Sequence, residues 1–244
     1  MGAGIVAPSL DDTTIGGAMT QSQTVEVSSK NGPLEGAFAE PAGTGKVGGL
    51  VVLQEWHGVN AQMRGKVERF AREGWLALCP DLYHGKVAAN DEEAGKLMGA
   101  LDWQRAVADI GDAVAHLRHH PRCNGKVGVL GFCMGGALTF AASRHLDGLA
   151  CAVPFYGLPQ LPMEEYAKIK TPISAHFAQR DDWAKSSVAE EIQRKVRGAG
   201  GQMDLYVYDA GHAFMRETDP SKYDEPSSKL AWSRALAFLR AHLA

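Results

Sequence analysis

The chain lacks most of the features that mark specialised protein classes. Its 244 residues hold only four cysteines, at 79, 123, 133 and 151. They form no C-x-x-C pair and no spacing that suits a metal. A chain of this length can bury a substantial core without covalent staples, so the four read as reduced thiols in a cytoplasmic compartment. An excess of one charge is missing too: 25 Lys and Arg stand against 28 Asp and Glu, a net −3. Nucleic-acid binders draw affinity from clustered cations on phosphates, and no nucleic-acid partner is expected here. No apolar run approaches the roughly 18 residues that suggest a transmembrane helix, so no membrane partner is expected either. The opening MGAGIVAPSLDDTTIGGAMT has no basic start and no long apolar stretch of the kind a secretory signal carries. Residues 1–20 read as a mobile N-terminal tail, with Met19 a plausible natural start, ahead of a single domain over 21–244.

What the chain does have is regular alternation. TVEVSS and LEGAFAEP read as two short strands around Asn31-Gly32, a hairpin signal. GLVVLQE over 49–55 is a continuous apolar run, as expected of a strand buried on both faces. Residues 62–73 carry Met63, Val67 and Phe70 or Ala71 at helical spacing, and Gly74 ends them. Further strands are expected over 75–80, 126–132, 149–157, 171–177 and 203–208. Helices are expected over 103–118, 135–145, 187–197 and 228–242. The polar stretch 81–100 leaves room for one short helix over the sheet edge. Strands alternating with helices predict an α/β fold, a mostly parallel twisted sheet with helices on both faces.

In open parallel sheets ligands bind at the carboxyl ends of the strands, and the informative residues fall there. Gly131-Phe132-Cys133-Met134-Gly135 lies between a strand and a helix. It has the form of a nucleophile elbow, in which glycines permit a tight turn that lifts the nucleophile above the sheet. The helix dipole would favour the thiolate of Cys133, and the Met134 N–H would point at a developing oxyanion. A buried inert cysteine in a glycine-rich turn is the competing reading of this motif alone. Asp181 or Asp182, then His212, follow at later strand ends, in the chain order nucleophile, acid, histidine. Glu55 ends a buried strand, where a carboxylate is costly unless paired or protonated; Arg64 is an available partner. Tyr83 and His84 end another strand, as pocket-lining or solvated loop residues.

The stretches LQEWHGVN with Arg64 after it, CPDLYHG, GKVGVLGFCMGGALTF, YDAGHAF and LAWSRALAFLR together resemble the dienelactone hydrolase family over roughly residues 24–243. The resemblance implies an α/β-hydrolase fold, no metal and no cofactor. It implies ring opening of dienelactones, the carboxymethylenebutenolidase activity, or cleavage of another ester. Cys133 then corresponds to the nucleophile and His212 to the general base. Asp181 corresponds to the acid of a G-x-x-D stretch in which Ala178 replaces the family glycine. Glu55 matches a glutamate that interacts with the resting thiol and takes its proton as substrate binds. Trp56 would give the second oxyanion N–H beside Met134. Arg216 matches an arginine that binds a substrate carboxylate. A second such arginine is missing between Tyr83 and Trp103, where only Lys86 and Lys96 occur.

The expectation is therefore a cofactor-independent hydrolase of a small, carboxylate-bearing lactone or activated ester, working through a thiol ester. A thiolate leaves a tetrahedral intermediate more readily than an alkoxide does, which favours substrates with good leaving groups. The alternatives are a carboxylesterase or thioesterase for another small acid, or a catalytically silent scaffold that binds small molecules. A small-molecule substrate and a monomer or small homo-oligomer are expected.

Overall fold

The edge of the sheet is set by one hairpin. β1 (Gln23–Val27) and β2 (Leu34–Ala39) pair antiparallel. The turn between them holds Gly32 at φ 107°, a conformation that costs glycine nothing. This computed structural model describes residues 20–244, so the tail expected over 1–20 lies, but for Thr20, outside the described residues.

The other strands are β3 (Val47–Leu53), β4 (Leu76–Pro80), β5 (Cys123–Phe132), β6 (Ala152–Phe155), β7 (Ile173–Arg180) and β8 (Met203–Gly211). The sheet order is β1-β2-β4-β3-β5-β6-β7-β8. β2 runs antiparallel to β4, and every pair from β4 to β8 is parallel. The sheet is thus parallel throughout its centre, with the antiparallel hairpin at one edge.

The helices are α1 (Ala61–Arg72), α2 (Asp91–Gly99), α3 (Trp103–His119), α4 (Met134–His145), α5 (Ser186–Gly198) and α6 (Glu225–Leu243). Side chains alternate across a strand, and β3 shows it: Leu50 and Val52 pack with α1 and α6, Val51 and Leu53 with α3 and α4. α5 packs on Phe140 and the alternate residues Ile173, Ala175 and Phe177 of β7, the same face as α4. Asn60, Asn90 and Asp102 cap α1, α2 and α3 by accepting backbone N–H groups.

Two elements differ from the sequence reading. The strand expected over 149–157 is only Ala152–Phe155, because Tyr156 turns to φ 34°. A 3₁₀ turn at Met163–Lys168 carries no apolar periodicity that would announce it. The first shapes the site, since Tyr156 lines the cleft.

Candidate active site

Cys133 stands between β5 and α4 with φ 54° and ψ −115°. A non-glycine residue there costs on the order of 1–3 kcal/mol, so its surroundings must hold it. Its neighbours do so by close approach. A Cβ on Gly131 would lie 2.2 Å from the Gly135 carbonyl oxygen, and one on Gly135 would lie 2.5 Å from that of Leu53. Only residues without a Cβ let β5, α4 and the end of β3 meet this closely. Cys133 occupies the N-cap position of α4 but makes no side-chain cap bond, which leaves the thiol available.

The sulfur faces His212. Cys133 Sγ is 3.2 Å from His212 Nε2, and His212 Nδ1 is 2.7 Å from Asp181 Oδ2. The other oxygen of Asp181 accepts the N–H groups of Trp183 and Ala184, at 2.9 and 3.0 Å. Burial raises the Asp181 carboxyl pKa, but His212 and the two N–H donors outweigh it, and the net shift is downward. Burial pulls the His212 pKa down; hydrogen bonds with Asp181 and Cys133 outweigh that and raise it to about 10. Asp182, the alternative acid, is exposed to solvent. The structure brings together Cys133, His212 and Asp181 of the residues singled out in the sequence.

The N–H groups of Trp56 and Met134 donate to no backbone carbonyl among the described residues, as expected of the first turn of a helix for Met134. Tyr83 does not line the cleft. It is buried, donates its hydroxyl to the Trp56 carbonyl at 3.1 Å, and lies 3.1 Å from Met134 Sδ. It therefore braces both residues that bear the free N–H groups. Burial, and next the charge of Cys133, push its hydroxyl pKa up, so it remains a donor.

Glu55 is buried, and its Oε1 has no hydrogen-bond partner. The available partner, Arg64, instead donates to Thr24 Oγ1 at 3.1 Å. Glu55 makes no hydrogen bond to Cys133 either; the thiol faces His212 instead. The opposing charge near Glu55 is Lys66, which sequence reasoning passed over as one polar residue in an amphipathic helix. Lys66 is buried, donates to the Met215 carbonyl at 3.2 Å, and lies 4.4 Å over the Phe132 ring. Desolvation lowers its pKa, and the Glu55 charge is the largest effect opposing that.

Arg216 is not on the cleft wall. It forms no ion pair among the described residues: Glu217 pairs with Arg69 at 2.9 Å, and Asp219 with Lys222 at 3.9 Å. Its Nε is buried without a partner. The expectation that it meets a substrate carboxylate finds no support in this arrangement.

The cleft beside Cys133 and His212 has a volume of about 970 Å³. Tyr156, the second residue that sequence reasoning missed, forms part of its wall. Its ring is 5.3 Å from that of His212, edge to face, and the residue is buried. Within the apolar run of 149–157 only the strand pattern was legible. The turn that swings Tyr156 into the site left no mark there.

A model of the dienelactone hydrolase family matches residues 34–243. The chain is 34% identical over 232 residues to Protein usf of Aquifex pyrophilus, covering 91% of this chain and 99% of that one. It is 32% identical over 228 residues to a carboxymethylenebutenolidase of Pseudomonas putida, covering 88% and 94%. Among solved structures, a dienelactone hydrolase-like promiscuous phosphotriesterase from metagenomic libraries superposes with a TM-score of 0.83 at 19% identity, covering 93% and 100%. That likeness speaks for the fold alone, which is the α/β-hydrolase fold. No helix among the described residues is long and apolar enough to cross a membrane.

Proposed function

This chain belongs to the dienelactone hydrolase family, and we propose that it cleaves a lactone or activated ester through a thiol ester on Cys133. The observation that carries this reading is the line from Cys133 Sγ through His212 to Asp181, at 3.2 and 2.7 Å. A protonated His212 keeps Cys133 as a thiolate, the nucleophilic form. The thiolate attacks the carbonyl carbon, and the oxyanion accepts the N–H groups of Trp56 and Met134. The C–O bond to the leaving group breaks as His212 Nε2 delivers its proton to that oxygen. Acylation removes the sulfur charge that helped raise the His212 pKa, so the imidazole becomes a base. It then takes a proton from water, the hydroxide adds to the thiol ester, and the acid departs with Cys133 restored.

Glu55 is assigned to take the proton of any Cys133 that rests as the thiol, as substrate binds, so that the sulfur enters the attack as the thiolate that protonated His212 holds. Tyr83 is assigned to positioning Trp56 and Met134, and a substrate carboxylate on Arg216 is not part of this reading. The four free cysteines fit a reducing, cytoplasmic compartment. A silent binding scaffold would not need a strained cysteine aligned with an imidazole.

Hydrolysis of a 4-nitrophenyl ester, followed with mass spectrometry of the quenched enzyme, tests the proposal. Wild type is expected to show a chromophore burst and an acyl adduct on Cys133, and Cys133→Ala to show neither. Activity of Cys133→Ala within a few-fold of wild type would sink the mechanism.

A further inference from the structure

The cleft reaches well beyond the chemistry that occupies one end of it. Cys133, Ala137, Ala141 and His145 follow one another at four-residue steps, and all four line it. That spacing keeps them on one side of α4, with small side chains between the thiol and His145. At 1.5 Å per residue the stripe runs about 18 Å from Cys133. Trp103, Gln104, Val107 and Ala108, on one side of α3, form a facing wall. Leu158, Pro159 and Leu161, after the turn at Tyr156, form another.

Two properties of this cleft select a substrate. At about 970 Å³ it stands at the upper end of the 300–1,000 Å³ usual for ligand sites, whereas a small lactone fills only a fraction of that. Its wall also holds no Lys, Arg, Asp or Glu. The titratable groups there are Cys133, His212, Tyr156 and His145, and His212 is already paired with Asp181. A carboxylate entering between α3 and α4 would lose its water and meet no lysine or arginine in return.

Direction along the cleft follows from the proton. His212 must reach the leaving-group oxygen, so the alcohol or enol half sits on the side of His212 and Trp183. Trp183 is 78% exposed and marks the open end. The acyl half then points the other way, along Ala137 and Ala141. We infer that the enzyme's substrates are uncharged esters with an extended apolar acyl group, which lies in the groove between α3 and α4. This rests on the thiol-ester reading above.

The test is kcat/KM for 4-nitrophenyl esters of straight-chain acids from two to ten carbons, together with a five-carbon acyl group ending in a carboxylate. A fully buried methylene is worth roughly four-fold, and a groove open on one side about half that factor. The expected rise is about two-fold per methylene, or about 60-fold from acetate to octanoate. The carboxylate-ended ester should fall at least about ten-fold below its neutral five-carbon counterpart. Ala141→Phe blocks the floor and Ala108→Trp narrows the facing wall; each should move the optimum to shorter chains. Ala108 is exposed, so its variant stays informative if Ala141→Phe does not fold. A flat profile, one highest at acetate, or faster turnover of the carboxylate-ended ester overturns the inference while an acyl adduct on Cys133 still upholds the mechanism. Full activity in Cys133→Ala overturns both.

Discussion

Cys133 combines a rare backbone conformation with a charge partner, and Asp181 decides what that partner can do. Its Oδ1 is held by two backbone N–H groups and its Oδ2 by His212, so the carboxylate cannot turn away from the ring. The ring nitrogen it accepts from is thereby fixed as the protonated one, which directs Nε2 to the sulfur. Asp181→Asn should therefore lower kcat by up to about 10⁴-fold. The same variant should slow iodoacetamide alkylation of Cys133 at pH 6, where a thiolate held by protonated His212 reacts quickly and an ordinary thiol does not. The His212 pKa of about 10 puts pH 6 well inside the protonated range. Asp182→Asn, on an exposed side chain, should leave both rates near wild type. The opposite pattern in the two variants would reassign the acid.

At the scale of elements, the site is a meeting of strand ends held by contacts that tolerate no added atom. Gly135 shows this: a Cβ there would lie 2.5 Å from the Leu53 carbonyl oxygen and 2.7 Å from that of Gln54. Both are backbone atoms at the end of β3, just before Glu55 and Trp56. Gly135→Ala should cost about 1–3 kcal/mol through overpacking and push the Trp56 N–H out of place, so that activity falls further than stability. Gly95→Ala in α2, with open space around it, should instead add about 0.5–1 kcal/mol. Urea denaturation of the two variants checks the pair, and equal effects would contradict the packing argument. The same elements show what was legible in the sequence. Glycines on both sides of Cys133, and His212 and Asp181 at strand ends, carry their meaning in spacing and in the parallel-sheet rule. Lys66 and Tyr156 do not. A lysine in an amphipathic helix normally points outward, and only the packed structure folds its ammonium over Phe132. Tyr156 closes a strand-like run and enters the site through a backbone angle that periodicity does not encode. Arg216 comes to the site by resemblance alone; in the structure it does not line the cleft, though its charge acts on Tyr156 of the wall.

For the whole molecule, two histidines set opposite limits on the pH range of stability. His212 is protonated in the folded state up to about pH 10, so its contribution is complete below the unfolded value near 6.5 and fades as pH rises through about 10. His176 acts on the acid side. It is fully buried between β6 and β8, with Nδ1 2.8 Å from the Tyr208 hydroxyl and Nε2 3.2 Å from Ser174 Oγ. Burial first, and then the Arg234 charge, lower its pKa to about 3. Between about pH 3 and 6.5 the unfolded chain thus binds a proton that the folded chain refuses, and stability must fall as pH falls through that window. From this group alone the protein should be about 2.5 kcal/mol less stable at pH 4.5 than at pH 7. Carboxylates contribute to the same acid loss, so the informative quantity is a difference between proteins. His176→Gln keeps a polar side chain in the slot but cannot titrate. It should lower stability at pH 7 through imperfect hydrogen bonding, yet lose about 2.5 kcal/mol less than wild type between pH 7 and pH 4.5. Urea denaturation at the two pH values measures both slopes. Parallel slopes would mean that His176 is not the buried proton acceptor, and that the acid limit of this fold lies with its carboxylates.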